Sequence, residues 1–198
     1  SSLSAGAITY GTTTTVSLAT APFPDSSGAW TDDRVNVFVP EGLPALKMGA
    51  GDVQTHGRVT IEGVPFLSQD GYDDLLRSCD LNFVRGEDSF VRGMWAQKPL
   101  IWNIYPQAEH AHFKKLDAFH ARYLEKMNKK DAETLALMGQ MWNLAARDTS
   151  SPWPSLMTQL LDRLPAYTAH AQAWAAELAK MDDLATQLMR FIKERVSL

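Results

Sequence analysis

The sequence predicts an α/β fold, in which strands alternate with helices before a helical C-terminal part. Short β-branched and apolar runs in the first half of the chain are separated by turn residues. One of them, residues 100–104, is almost wholly apolar, which is typical of a parallel strand buried on both faces. After residue 113, apolar residues recur at spacings of three and four, as in amphipathic helices. Strands that alternate with helices indicate a sheet with right-handed crossovers.

Composition excludes several classes of protein. The chain has 198 residues, 45% of them hydrophobic, a formal net charge of −4 and one cysteine. This length is enough for one sizeable domain with a core. The negative charge argues against nucleic acid or an acidic membrane as a partner. A single cysteine fits a reducing cytoplasm, which is the predicted location, and no apolar run approaches the roughly 20 residues that span a bilayer.

Individual elements follow from these patterns. Strands are predicted at residues 15–19, 35–39, 58–64, 81–84 and 100–104. Helices are predicted at residues 72–78, 113–127, 132–146, 155–164 and 169–196. The last helix carries an apolar stripe that includes Leu184, Leu188, Phe191 and Ile192.

The stretch from residue 79 to residue 96 predicts a strand, a tight polar turn and a helix. Gly86 can adopt the positive φ of a turn, and Asp88 or Ser89 can cap the helix that follows. A helix start at this edge directs free N–H groups toward an anion. Arg85 is suited to a phosphate and the neighbouring carboxylates to sugar hydroxyls. The alternative is an ordinary turn in which Arg85 and Glu87 pair at the surface.

Segments that follow other strands are expected to converge on the same edge, since ligands of such sheets lie beyond the carboxyl ends of the strands. Phe66 and Tyr72 can stack on a flat base, and Gln69 can read the amide edge of a pyrimidine. Tyr105 can contact a diphosphate. The alternative for Phe66 and Tyr72 is packing in the core, and for Tyr72 the two interpretations have equal weight.

The run that contains Glu109, His110 and His112 raises the question of a metal site. Two histidines without a third ligand at helical spacing are a weak signal. Surface or capping histidines near a helix start are the favoured interpretation, and no metal is expected.

Several motifs together resemble the EarP family of protein-arginine rhamnosyltransferases. Residues 64–69, 72–76 and 102–107, together with His112, belong to the similar region. The longest matching run is Arg85-Gly86-Glu87-Asp88-Ser89-Phe90-Val91-Arg92.

The resemblance implies a Rossmann-like parallel sheet, the C-terminal lobe of a two-lobed (GT-B) glycosyltransferase, followed by C-terminal helices. It implies transfer of rhamnose, with inversion, from dTDP-β-L-rhamnose to an arginine of translation elongation factor P. The expected organisation is a flexible leader at 1–14, a nucleotide-sugar-binding domain at 15–147 and helices that pack on this lobe at 148–198.

The resemblance also implies a role for each site residue. Phe66 and Gln69 would contact thymine, and Asp88 the ribose or its neighbourhood. His112, which belongs to the similar region, could approach the phosphate site. Arg85, Ser89 and Tyr105 would hold the diphosphate, and Glu87 would lie close to the sugar. Glu87 and Arg85 are the candidate catalytic residues.

Some parts of the family pattern cannot be placed in this sequence. Tyr10 and Phe23 are the candidates for a stacking aromatic that precedes the central motifs. The family's acceptor-side base lies in an N-terminal lobe that we expect to be missing, so the chain should bind the donor but lack a complete reaction centre. The alternatives are a non-catalytic nucleotide-binding module and a purely structural α/β domain. The apolar stripe of the last helix is expected to be partly uncovered, since this helix often crosses to the other lobe.

Overall fold

The computed structural model of the protein describes residues 16–21, 34–40, 50–56, 59–144 and 152–196, with the backbone alone for 16–21. Its strands are β1 Val16–Ala21, β2 Arg34–Pro40, β3 Val53–His56, β4 Val59–Val64, β5 Leu81–Arg85 and β6 Leu100–Asn103. Its helices are α1 Gln69–Ser78, α2 Gly86–Trp95, α3 Ala111–Tyr123, α4 Lys129–Asn143, α5 Trp153–Asp162, α6 Leu164–Leu178 and α7 Leu184–Val196. The leader predicted at 1–14 lies outside the described residues, as do Tyr10 and Phe23.

The strands form one six-stranded sheet in the order β3-β4-β2-β1-β5-β6. β2 pairs with β4 and β5 pairs with β6 in parallel, whereas β1 is antiparallel to both β2 and β5. β4, β2, β5 and β6 therefore run in the same direction. The predicted α/β fold is confirmed, with the difference that β1 and β3 run against the other four strands.

Short connections account for both reversed strands. Only residues 22–33 join β1 to β2, which is at the lower limit of about a dozen residues for a parallel crossover. β3 is joined to β4 by residues 57–58 alone, and so short a link permits only antiparallel pairing. The sequence did not predict β3, because its exposed residues Val53, Gln54 and Thr55 carry no apolar alternation.

β5 and β6 lie at the centre of the packing and are buried along their whole length. Alternate residues of a strand point to opposite faces, and here each face meets its own core. Leu81, Phe83 and Ile101 point to the core that α4, α5 and α6 share. Val84, Leu100 and Trp102 point to the core formed with α1 and α2. The near-continuous apolar character predicted for residues 100–104 is thus explained by helices on both faces.

The C-terminal helices differ from their predicted limits at one important point. The pattern over residues 169–196 predicted one continuous helix, but α6 ends at Leu178 and α7 begins at Leu184. Asp183 caps α7, because its carboxylate accepts bonds from the Thr186 backbone N–H at 3.0 Å and the Thr186 hydroxyl at 2.6 Å. Such a cap favours a new helix start. None of the residues of α7 is buried, and its stripe is uncovered as expected.

No helix in the described part of the chain combines the length and the apolar character that crossing a membrane requires.

An ion pair between a buried aspartate and a half-exposed arginine joins α4 to the start of α6. Asp131 is only 4% exposed, and its carboxylate accepts bonds from Arg163 Nη2 at 2.9 Å and Nε at 3.3 Å. The Tyr167 hydroxyl donates to the Asp131 backbone carbonyl at 3.2 Å. The Arg163 guanidinium holds the pKa of Asp131 below its ordinary value, although burial acts in the opposite direction.

We predict that Asp131→Asn lowers the free energy of unfolding by about 1–3 kcal/mol at pH 7, because a hydrogen-bonded charge pair is lost. The pKa of Asp131 is depressed in the folded state, so its contribution is present above the ordinary pKa of 3.8 and is lost as the pH falls through the lower folded value. The difference between the wild type and the variant should therefore shrink below about pH 4 in urea titrations.

The control is Glu133→Gln, which removes an exposed pair with Lys129 at 3.9 Å on the same helix. It should change stability little, since exposed pairs contribute little. A difference between wild type and Asp131→Asn that persists unchanged to pH 2.5 would contradict the ion-pair assignment.

Candidate functional site

The carboxyl ends of the four parallel strands meet at one edge of the sheet. Phe66 and Gln69 follow β4, Arg85 ends β5, and Tyr105 comes two residues after β6. β5 and β6 are neighbours, whereas β4 lies three strand positions from β5, or about 14 Å at the usual strand spacing. A separation of this order suits the two ends of an extended nucleotide better than one small anion.

Arg85, Gly86 and Tyr105 form the closest grouping at this edge. Arg85 is buried, and its guanidinium carbon lies 5.1 Å from the centroid of the Tyr105 ring. Gly86 has a φ of +77°, and a Cβ added there would lie 2.7 Å from Tyr105 Cε2. Both the backbone conformation and the space beside the ring therefore require glycine. The structure brings the predicted diphosphate residues Arg85 and Tyr105 together.

Buried polar contacts hold this grouping in place. The Trp102 indole N–H donates to the Gly86 carbonyl at 3.0 Å, and the Phe90 ring stacks on Trp102 with centroids 3.8 Å apart. Asn143 of α4 accepts from the Ile104 backbone N–H at 2.8 Å and donates to the Trp102 carbonyl at 2.7 Å. The end of β6, where the chain continues to Tyr105, is fixed from both faces of the sheet.

The start of α2 corrects one sequence prediction. The helix begins at Gly86 directly after β5, with Arg85 at the N-cap position and no side-chain capping bond. Asp88 and Ser89 therefore lie in the first turn of the helix and do not cap it. Carboxylates in a first turn are favoured by the helix dipole, which suits Glu87 and Asp88.

The two carboxylates of this first turn have different partners, one on α3 and one on α2 itself. Glu87 is exposed and lies 3.5 Å from Lys115 Nζ of α3. The Asp88 carboxylate is 84% exposed and accepts a bond from Arg92 Nε at 3.1 Å. Ser89 is half-buried. The surface contact of Glu87 is therefore with Lys115, whereas the ordinary-turn alternative would pair it with Arg85.

The predicted base-contacting residues differ in exposure. Phe66 is 84% exposed, so core packing is wrong for this residue. Gln69 is exposed at the first position of α1, which Ser68 caps by accepting a bond from the Gly71 backbone N–H at 3.2 Å. Tyr72 is half-buried and packs against the core on the α1 and α2 side. For Tyr72 the geometry thus favours core packing over stacking on a base.

The histidines near α3 have different environments. His110 occupies the N-cap position of α3 without a side-chain capping bond, and it is exposed, which agrees with the predicted surface position. His112 is buried, and its Nδ1 accepts a bond from the Gln107 backbone N–H at 3.3 Å, so a surface position is wrong for this residue. Within the described ranges, no group of three or more His, Cys, Asp or Glu side chains is arranged to hold a metal ion.

A cleft of about 360 Å³ lies beside the site, between α1 and α2. Its walls are Asp73, Arg77, Asp88, Val91, Arg92, Trp95 and Ala96. Asp88 connects this cleft to the edge where the strands end. Sequence reasoning missed Asp73, Arg92, Trp102 and Asn143 as parts of the site region, and only the Asp88 to Arg92 spacing of four carried a readable signal.

Comparison with known proteins agrees with this arrangement. The family profile described as Elongation-Factor P (EF-P) rhamnosyltransferase EarP matches residues 19–193. This chain belongs to the EarP family. The match includes every residue of the predicted site.

Individual members of the EarP family are also similar to this chain in sequence. A protein-arginine rhamnosyltransferase of Pseudomonas putida KT2440 is 39% identical over 182 residues, which cover 83% of this chain and 45% of the relative. One from Pseudomonas aeruginosa PAO1 is 40% identical over 160 residues, covering 81% of this chain and 41% of the relative. The chain therefore spans less than half the length of the curated relatives that it matches.

A solved EarP structure has the same fold. It is described as the structural basis for EarP-mediated arginine glycosylation of translation elongation factor EF-P. The superposition has a TM-score of 0.66 at 36% identity and covers 83% of this chain and 54% of the other. The predicted membership of this family, with a match to its C-terminal part, is confirmed.

We predict that Gly86→Ala destabilises the protein more than Gly51→Ala. Both glycines have positive φ, at +77° and +84°, so both variants incur the left-handed strain of about 1–2 kcal/mol. Only at Gly86 does the new methyl group meet a neighbour, the Tyr105 ring, whereas nothing lies within 4 Å at Gly51. Urea unfolding of both variants measures the difference, and equal losses would show that Tyr105 does not press on Gly86.

Proposed function

We propose that this chain is the donor-binding half of an arginine rhamnosyltransferase that acts on elongation factor P. The donor is dTDP-β-L-rhamnose, and transfer to the arginine nitrogen inverts the anomeric centre. The observation that carries the proposal is the grouping of Arg85, Gly86 and Tyr105 at the strand edge, within the region that matches the EarP family. The type of reaction is inferred from the relatives, which are protein-arginine rhamnosyltransferases. The chemical class of the donor is inferred from the residues at the strand edge.

In this proposal Arg85 and Tyr105 hold the diphosphate. The planar guanidinium of Arg85 matches two phosphate oxygens. The cation is buried beside Tyr105, where a charge acts more strongly than in water. Ser89 adds a hydroxyl from the first turn of α2, and Asp88 there contacts the ribose. Phe66 and Gln69 contact thymine from the end of β4.

The reaction joins a poor nucleophile to a sugar that loses its diphosphate. The guanidinium of the acceptor arginine is protonated in water, so carboxylates must orient it and localise its charge. Negative charge then develops on the departing diphosphate, and a preorganised cation stabilises it. We assign the stabilisation of the departing diphosphate to Arg85. We place Glu87 close to the rhamnose of the donor. No described residue is assigned as the acceptor-side base.

We expect the chain to bind dTDP in isothermal titration calorimetry. Phe66→Ala should weaken binding by roughly 1–3 kcal/mol, because the exposed ring would stack on the base. The matched control is Phe191→Ala, which removes another exposed phenylalanine, on α7, and should leave the affinity unchanged. Unchanged affinity in Phe66→Ala would remove this residue from the site. Absence of dTDP binding in the wild type would overturn the proposed function and favour a structural domain.

Glu87 is expected to affect turnover more than donor binding. Glu87→Ala should leave dTDP affinity nearly intact but lower kcat when the chain is part of a full-length enzyme, because an interaction made mainly in the transition state appears in the rate. Arg85→Ala and Asp88→Ala should instead weaken dTDP binding. Asp117→Asn, an exposed carboxylate of α3, is the control and should change neither quantity.

Three outcomes would revise this assignment. A large loss of dTDP affinity in Glu87→Ala would place that residue in the nucleotide site. Transfer of rhamnose to elongation factor P by this chain alone would overturn the donor-half proposal, whereas binding without transfer by a full-length enzyme would favour a non-catalytic nucleotide-binding module.

A further inference from the structure

One arginine of α2 contacts two carboxylates that belong to different helices. Arg92 Nη1 lies 3.0 Å from both carboxylate oxygens of Asp73 on α1. Arg92 Nε lies 3.1 Å from Asp88 Oδ2 in the first turn of α2. The side chains of Arg92 and Asp73 are 22% and 28% exposed, so this contact is largely shielded from solvent.

Asp73 and Asp88, the two carboxylates that Arg92 contacts, lie next to different parts of the candidate nucleotide site. Asp73 lies one helical turn after Gln69, which begins α1, and Asp88 lies one turn before Arg92. The contact with Asp73 therefore restrains the face of α1 on which Gln69 also lies. Arg92 thus links the end of α1 that is assigned to the base with the carboxylate that is assigned to the ribose.

We infer that Arg92 is a positioning residue, which sets Asp88 relative to the start of α1 so that base and ribose are bound together. This inference rests on the proposed function, because it presumes a nucleotide at this edge. An exposed aspartate such as Asp88 otherwise samples several rotamers, and ordering it on binding reduces affinity. Arg92 holds the carboxylate in one orientation before the ligand arrives.

The two contacts of Arg92 require a side chain with several N–H donors in one rigid plane, which is what a guanidinium provides. Arginine presents donors in a rigid plane, so that Nη1 serves Asp73 while Nε serves Asp88. The ammonium of lysine is a single point of charge, and it cannot keep both contacts at these positions. Arg92→Lys therefore preserves the charge and much of the side-chain length but releases at least one carboxylate. The variant therefore tests whether the orientation of the two carboxylates matters for binding when the positive charge at position 92 is kept.

The test measures dTDP affinity of the 198-residue chain by calorimetry. Arg92→Lys should weaken binding about tenfold, as expected when a charge-assisted hydrogen bond no longer orients a ligand contact. The control is Arg190→Lys, at an exposed arginine of α7 that pairs with Asp182, and it should leave the affinity unchanged. Urea unfolding of each variant supplies the folded fraction, to which the affinity is corrected.

A double-mutant cycle with Asp88→Asn distinguishes positioning from a general loss of structure. If Arg92 acts through Asp88, Asp88→Asn should cost much less affinity in the Arg92→Lys background than in the wild type. Additive losses would overturn positioning through Asp88. Unchanged corrected affinity in Arg92→Lys would overturn the inference as a whole.

Asp73→Asn provides a second route if Arg92→Lys does not fold. It removes the charge on α1 that anchors Arg92 but leaves Arg92 and Asp88 in place, so it too should weaken dTDP binding, and unchanged binding would overturn the inference. Failure of the wild-type chain to bind dTDP is a separate result, which overturns the proposed function and this inference together. Wild-type binding with unaffected variants overturns this inference alone.

Discussion

The hydrogen bond from the Trp102 indole to the Gly86 carbonyl determines where β5 becomes α2. The carbonyl and the N–H of one trans peptide point in opposite directions. Holding the Gly86 carbonyl against Trp102 therefore directs the Glu87 N–H away from that side chain. Because Gly86 has positive φ and lies against Tyr105, strand and helix join without an intervening loop. Arg85, before the junction, is buried, whereas the carboxylates of Glu87 and Asp88, after it, are exposed.

The helices that follow the sheet contribute to this junction from a distance in sequence. Asn143, at the end of α4, bonds to the backbone on both sides of Asn103, and the Asn103 side chain donates to the Trp142 carbonyl at 2.8 Å. α4 in turn is tied to α6 through Asp131 and Arg163. The C-terminal helices therefore do more than cover an apolar face: they hold the strand end from which Tyr105 reaches Gly86.

Much of this arrangement was predictable, because it depends on local patterns. The short apolar runs of β5 and β6 identify the central strands, and Gly86 identifies the junction. The start of α2 was not predictable, since no side chain caps it and the contact that fixes it comes from Trp102, 16 residues away. The break before α7 had a signal in the Asp183 to Thr186 spacing, but the continuous apolar stripe outweighed it.

In the site, too, features that depend on neighbouring residues were predictable, whereas those that depend on distant contacts were not. Arg85, Glu87 and Asp88 are neighbours in sequence, so their chemistry could be recognised together. The contact between Arg92 and Asp73 joins residues 19 positions apart on two helices, and no sequence spacing indicates it. The two interpretations of Tyr72 stayed open in the sequence for a related reason, because an aromatic residue on an amphipathic helix gives the same pattern whether it faces a ligand or the core.

The distribution of charge about Gly86 also gives the proposed donor a direction. A buried cation acts in a medium of low dielectric constant, whereas exposed carboxylates are screened by water and salt. The diphosphate, which carries the charge, is therefore drawn toward Arg85 and Tyr105. Uncharged hydroxyls suit the exposed carboxylates of Glu87 and Asp88. The sugar then lies at the solvent side of the edge, where an acceptor protein can reach it, while the charge that develops on departure of the diphosphate falls on the buried cation.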